Sequence, residues 1–133
     1  MKRYNACATL LCLLLLCASL AAGCSAGDAR DFQVRGRVAQ LPTANDPASQ
    51  FMIQHEAVDS FVDRQGKVVG MDSMTMPFPL ASGVSLAGLA VGDPVAFTLR
   101  VHWGGTPPIR ITELHKLPAG TPIVFREAHP PRS

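Results

Sequence analysis

Apolar and polar residues alternate at five places along the chain. Each alternation has the period of two expected of a strand with one buried face. From Asp31 to Leu41, the residues Phe32, Val34, Gly36 and Val38 fall on one face, and Gln33, Arg35 and Arg37 on the other. Gly36 within this run marks a bend or a close approach of another backbone. From Gln50 to Val58, the residues Phe51, Ile53, His55 and Ala57 share one parity, so a histidine stands on an apolar face. From Ser73 to Leu80, Met74, Met76 and Phe78 share a face, while Pro77 and Pro79 have the opposite parity. Proline has no N–H to give to a ladder, so this strand is expected at a sheet edge, or to leave the sheet near Pro77. From Pro94 to Gly104, Val95, Phe97, Leu99, Val101 and Trp103 alternate with Ala96, Thr98, Arg100 and His102. The fifth run, Ile109 to Leu117, offers Ile109, Ile111 and Leu114 to a core.

The connections are legible too. Pro42 to Ser49 is a turn cluster, and Gly104-Gly105-Thr106-Pro107-Pro108 turns the chain again. Between Asp59 and Gly70, Phe61-Val62 and Val68-Val69 flank Asp63-Arg64-Gln65-Gly66-Lys67, which predicts a short hairpin or flap with Gly66 in its turn and a solvated, charged tip. Ala81 to Asp93 is a connector with one helical turn expected at Leu86–Leu89. The residues after Pro118 are proline-rich and are expected to be loosely held. Five short strands in so small a chain are expected to hide their edges by closing on themselves. The predicted fold is all-β, a small five-stranded OB-fold-like barrel over residues 32–117, followed by a tail over 118–133.

The first 23 residues do not belong to that barrel. Lys2 and Arg3 precede an apolar run from Ala6 to Ala22, too short to span a membrane and followed by small residues, which is the pattern of a secretory signal peptide. Its end, Leu20-Ala21-Ala22-Gly23-Cys24, resembles the lipobox of bacterial lipoproteins, with Cys24 as the lipidated residue; Ala21 stands where leucine is usual, and ordinary cleavage in this region is the alternative. Residues 24–31 then form a lipid-anchored tether, and Ser25 after the cysteine favours, by the same resemblance, the outer membrane. The four cysteines are Cys7, Cys12, Cys17 and Cys24. Cleavage before Cys24 leaves no second cysteine to pair with it, and acylation removes a thiol that an oxidising compartment would otherwise attack.

Loss of the signal also removes Lys2 and Arg3, leaving ten of the twelve basic residues against ten acidic ones. A neutral domain is not built to hold nucleic acid by charge. Aromatic residues make up only 6% of the chain, too few for the exposed stacking face of a nucleic-acid-binding OB module.

The chemistry concentrates in one stretch. The chain has five methionines, and Met71, Met74 and Met76 are three of the four beyond the initiator. Met74 and Met76 share a strand face with each other, and His55 lies on the apolar face of its own strand. Should the two strands converge on one wall, an imidazole and two thioethers would meet in a mostly dry site. Thioethers are soft, neutral donors that suit Cu(I) or Ag(I) and hold Zn(II) or Mg(II) poorly. The alternative is that these methionines fill gaps in a core.

The residues also resemble a family. His55-Glu56-Ala57-Val58 followed by Met71-Asp72-Ser73-Met74-Thr75-Met76-Pro77-Phe78 is similar to the CusF-type periplasmic copper- and silver-binding proteins, whose signature is a histidine and then M-x-x-M-T-M-x-F. Gly92-Asp93-Pro94-Val95-Ala96-Phe97 matches that family's G-D-x-V-x-F strand entry. The resemblance covers Phe32 to Leu117. It implies an OB-fold barrel, metal ligands at His55, Met74 and Met76, and a monomeric periplasmic carrier or buffer of Cu(I) or Ag(I). It further implies a copper exporter or copper-accepting protein as partner. Met71 stands where some members place a capping tryptophan and others methionine. It is a candidate fourth ligand at the exit of the flap.

No catalytic constellation accompanies these residues. Redox copper centres recruit several histidines or a cysteine thiolate, and only His55 is suitably placed. His102, His115 and His129 read as surface residues, and Trp103 as packing. The expected protein is not an enzyme, and an OB-fold interaction module without metal is the alternative.

Overall fold

The computed structural model describes residues 28–132 apart from Pro47. The expected signal peptide, Cys24 and the first half of the expected tether therefore lie outside the described residues. Five strands form one antiparallel sheet: β1 (Arg30–Gln40), β2 (Met52–His55), β3 (Met74–Pro77), β4 (Pro94–Val101) and β5 (Ile109–Lys116). Their order across the sheet is β3-β2-β1-β4-β5. Each strand forms where the sequence alternates, because alternation buries one face and leaves the backbone to pair sideways.

The apolar parity is the buried one in β1, β2 and β4, where Thr98 of the opposite face is buried too, whereas in β3 Met74 is exposed and Met76 half-buried. Phe32, Val34, Val38, Ile53, Val95, Phe97, Leu99, Val101 and Ile111 all lie in the core. In β5 the apolar positions Ile111 and Leu114 are an odd number apart, which a regular strand would send to opposite faces. The ladder resolves this with a register shift. Leu99 pairs with Ile111, Thr98 with Glu113 and Phe97 with Leu114, so Thr112 is the extra residue of a bulge.

The barrel is only partly closed. β3 and β5 do not pair as strands, since Pro77 and Pro79 have no N–H to extend the β3 ladder. Closure rests on a parallel bridge between Leu80 and Ile111. There Ile111 N donates to Pro79 O at 2.9 Å and Ala81 N to Ile111 O at 2.8 Å. A five-stranded, partly open barrel of this order is the OB arrangement. The expectation of full closure is corrected on this point, while the expected edge position of β3 stands.

Two further expectations change, and the flap is more buried at its root than its charged tip suggested. The Leu86–Leu89 segment is a simple turn, with Leu89 N donating to Leu86 O, and the described residues contain no helix. The charged tip of the flap is exposed as expected, and so are Val68 and Val69. The flap's root is core, with Phe61 and Val62 buried, Phe61 5.6 Å from Phe32 between ring centroids, and Trp103 edge-on to Phe61. Finally, the tail is fastened rather than loose: Val124, Arg126, Ala128 and His129 all donate backbone N–H bonds to side chains near the start of β3 and the root of the flap.

Candidate metal site

β2 ends on His55, which pairs with Gly36 of β1 on one side and Met74 of β3 on the other. The approach to β1 is so close that a Cβ at position 36 would lie 2.5 Å from Gln54 O and 2.6 Å from Ile53 Cγ2. Only glycine allows that spacing, and it lets the His55 ring sink into the core. The imidazole has no solvent exposure. It meets the Phe78 ring edge-on, with centroids 5.8 Å apart.

The two ring nitrogens have different surroundings. Nδ1 lies 2.7 Å from Glu56 O. A carbonyl oxygen can only accept, so Nδ1 carries the proton and Nε2 keeps its lone pair. Nε2 is buried and has no hydrogen-bond partner. Burial pushes the His55 pKa below its ordinary value, against a smaller opposing effect of the Glu56 carbonyl, so the ring is neutral at physiological pH. A neutral imidazole that donates from one nitrogen to a carbonyl and presents the other as a bare lone pair is the usual form of a metal-ligating histidine.

Register brings the methionines to this nitrogen's side of the sheet. Met74 stands directly opposite His55, and Met76 opposite Ile53. Directly opposed residues place their Cβ atoms about 4.5–5.5 Å apart and diagonal ones about 7–8 Å, within reach of flexible thioethers. Met76 packs against the core, whereas Met74 is 45% exposed. An imidazole thus forms the floor, and a thioether stands at the rim.

Met71 arrives by a separate route. It forms an isolated bridge with Val58, with N···O distances of 2.8 and 3.0 Å. Gly70, at φ +72°, turns the chain into that bridge. The Met71 side chain also packs against the core. Its backbone is therefore held beside the end of β2 by main-chain bonds.

Carboxylates take no part in this arrangement. Among the described residues no cluster of three or more His, Cys, Asp or Glu side chains is placed to hold a metal ion. An apolar groove lined by Pro42, Phe51, Pro77 and Phe78 flanks the barrel without including His55 or the three methionines. Trp103 packs as expected, its Nε1 donating to Val62 O at 3.3 Å, with the Arg64 guanidinium 5.5 Å above its ring. His115 and His129 are exposed and His102 is half-buried. The tail's contacts had no sequence signal, since a proline-rich segment carries no periodicity that says where it lies.

A family model described as copper binding periplasmic protein CusF matches residues 31–116. No curated protein and no solved structure gives a match.

Proposed function

The chain belongs to the CusF family of periplasmic copper-binding proteins, and on that premise we propose that it takes Cu(I), or Ag(I), as cargo on His55 Nε2 and the thioethers of Met74 and Met76, with Met71 as a further sulfur donor. The family is one of metal-binding proteins rather than enzymes, and this member acts as a chaperone or buffer. One observation supports the site above all: the His55 Nε2 lone pair is buried and unpartnered. Leaving a polar atom so costs about 1–3 kcal/mol, a cost that a bound soft cation would remove.

The chain's own residues explain the selectivity. The Glu56 carbonyl fixes the tautomer of His55 and the Phe78 edge fixes its plane. Neutral nitrogen and sulfur donors favour a soft monovalent ion over Zn(II). None of these donors is a thiol, so an oxidising compartment cannot disable the site through disulfides. Met74, exposed at the rim, is the donor that first meets incoming cargo and last lets it go. A metal-free interaction module with packing methionines is the alternative, and the exposure of Met74 speaks against packing as its role.

We further propose lipidation at Cys24, attachment to the outer membrane, a monomeric state, and transfer to a copper exporter or copper-accepting protein. The deciding experiment is Cu(I) titration of the soluble domain against a competing chelator, with His55→Ala and Met74→Leu alongside. One Cu(I) per chain, lost in His55→Ala and weakened in Met74→Leu, is expected. Stoichiometric Cu(I) binding unaffected by either substitution would overturn the assignment.

A further inference from the structure

The family match ends at residue 116, yet the chain beyond it returns to the site. Val124 N donates to Glu56 Oε1 at 2.8 Å, and Glu56 follows His55. Arg126 N donates to Ser73 Oγ and Ser73 N to Arg126 O, both at 2.9 Å, and Ser73 precedes Met74. Ala128 N donates to Asp72 Oδ1 at 2.7 Å, and Asp72 follows Met71. The Arg126 guanidinium holds both oxygens of Asp59 at 2.8–2.9 Å, and His129 N reaches the same carboxylate at 2.7 Å. Asp59 follows Val58, the bridge partner of Met71.

These contacts follow a pattern. Tail residues 124, 126 and 128 present alternate N–H groups to Glu56, Ser73 and Asp72, on two segments, as an extended chain laid across them would. Each of these three residues is the immediate neighbour of His55, Met71 or Met74. The fit is close: a Cβ at Gly70 would lie 2.8 Å from Ala128 Cβ. The Ser73 N–H goes to the tail, which is why the β3 ladder begins only at Met74. The Asp59 carboxyl is held well below the usual carboxylate range, by the Arg126 guanidinium first and the His129 N–H second.

We propose that Val124–His129 is a clamp that positions the copper donors. It ties the Met71–Met74 loop to the end of β2, and so sets how many thioethers face His55 and how fast cargo leaves. Arg126 and Asp59 are positioning residues that touch no donor atom. The inference rests on the site assignment given under "Proposed function".

The test uses the full mature chain with Arg126→Ala, Asp59→Ala and Ser73→Ala, against Arg100→Ala as control. Arg100 makes an equally exposed bidentate pair with Asp31 on β1 and β4, away from the tail. Three quantities are read: hydrogen exchange at the Met71 and Ser73 amides of the metal-free protein, Cu(I) affinity and release to a chelator, and the sulfur count around Cu(I) by X-ray absorption. Clamp variants are expected to exchange faster at those amides, bind Cu(I) about tenfold more weakly, release it faster and lose one sulfur. Arg126→Lys should recover part of the affinity, and Arg100→Ala should change none of the three. If His55→Ala abolishes binding while the clamp variants keep wild-type affinity, release and sulfur count, the site stands and the clamp is overturned. If His55→Ala binds Cu(I) as the wild type does, the site assignment itself falls, and the positioning role with it.

Discussion

His55 and Met74 stand directly opposite one another across β2 and β3, yet the imidazole is wholly buried and the thioether is 45% exposed. The pair spans the wall of the barrel from core to solvent. The inner partner can be rigid because packing holds it, and the outer partner can move because little does. The proposed carrier role would use both, a fixed donor that defines the ion and a mobile one that admits and frees it.

Replacing His55 by leucine separates binding from stability. Nε2 lacks a partner, so an apolar residue of similar bulk removes a buried unsatisfied atom at little packing loss, which offsets the lost Nδ1 bond to the half-buried Glu56 carbonyl. His55→Leu is expected to abolish Cu(I) binding while leaving the metal-free protein within about 1 kcal/mol of wild type, or above it. Urea denaturation and Cu(I) titration check the two halves. A loss of about 3 kcal/mol or more would mean that the imidazole is needed for the fold itself.

The buried histidine also sets a pH dependence. Its folded pKa lies below the ordinary 6.5 because of burial. Below that value the unfolded chain takes up a proton that the folded one refuses, so the unfolded state binds more protons and stability falls as pH falls. The contribution is fully present above about pH 7.5, and is lost through the window from 6.5 down to the folded pKa, with a slope of up to about 1.4 kcal/mol per pH unit. The carboxyls of Asp31, Asp59 and Asp93 are held below their ordinary range, so their contributions disappear only at lower pH. Unfolding of the metal-free protein at about pH 7.5 and about pH 5.5 should show this loss in the wild type and a smaller one in His55→Leu. Equal losses would assign it elsewhere.

Exposure orders the methionines by reactivity. Oxidation to the sulfoxide follows solvent access, and Met74 is exposed while Met71 and Met76 pack against the core. Mild peroxide should modify Met74 first, as read by peptide mass spectrometry, and bound Cu(I) should slow that modification. Faster oxidation of Met76 would contradict the rim placement of Met74.

The sulfur count decides the part played by Met71. As a donor it gives about three sulfurs around Cu(I) by X-ray absorption, one fewer in Met71→Leu, with weaker binding. Two sulfurs in both proteins and equal affinity would leave Met71 as an apolar cover. The backbone should not shift in either case, because the bridge to Val58 uses main-chain atoms only.

Gly36→Ala tests the foundation of the site. The added Cβ meets Gln54 O and Ile53 Cγ2 at 2.5 and 2.6 Å, and a backbone oxygen cannot step aside as a flexible side chain can. Destabilisation of about 1–3 kcal/mol or more is expected, with weaker Cu(I) binding as β2 is pushed outward. Wild-type stability would show that β1 and β2 can part without cost.

Alternation alone determined the five strands and their buried faces, because a period of two admits only one face to the core; His55 fell on that face for the same local reason. The edge position of β3 was legible from Pro77 and Pro79, since a missing N–H is a property of the residue and not of its surroundings. The methionine spacing and the upstream histidine were likewise enough to propose a donor set. Tertiary structure decided what depends on residues far apart in sequence. It opposed Met74 to His55 by the β2–β3 register, inserted the bulge at Thr112, limited barrel closure to the Leu80–Ile111 bridge, and left Nε2 without a partner while Nδ1 found a carbonyl. It also brought the tail back onto Glu56, Asp59, Asp72 and Ser73. A proline-rich segment has no repeating pattern to record its destination; its place is set by single hydrogen bonds to groups that only the folded barrel brings together.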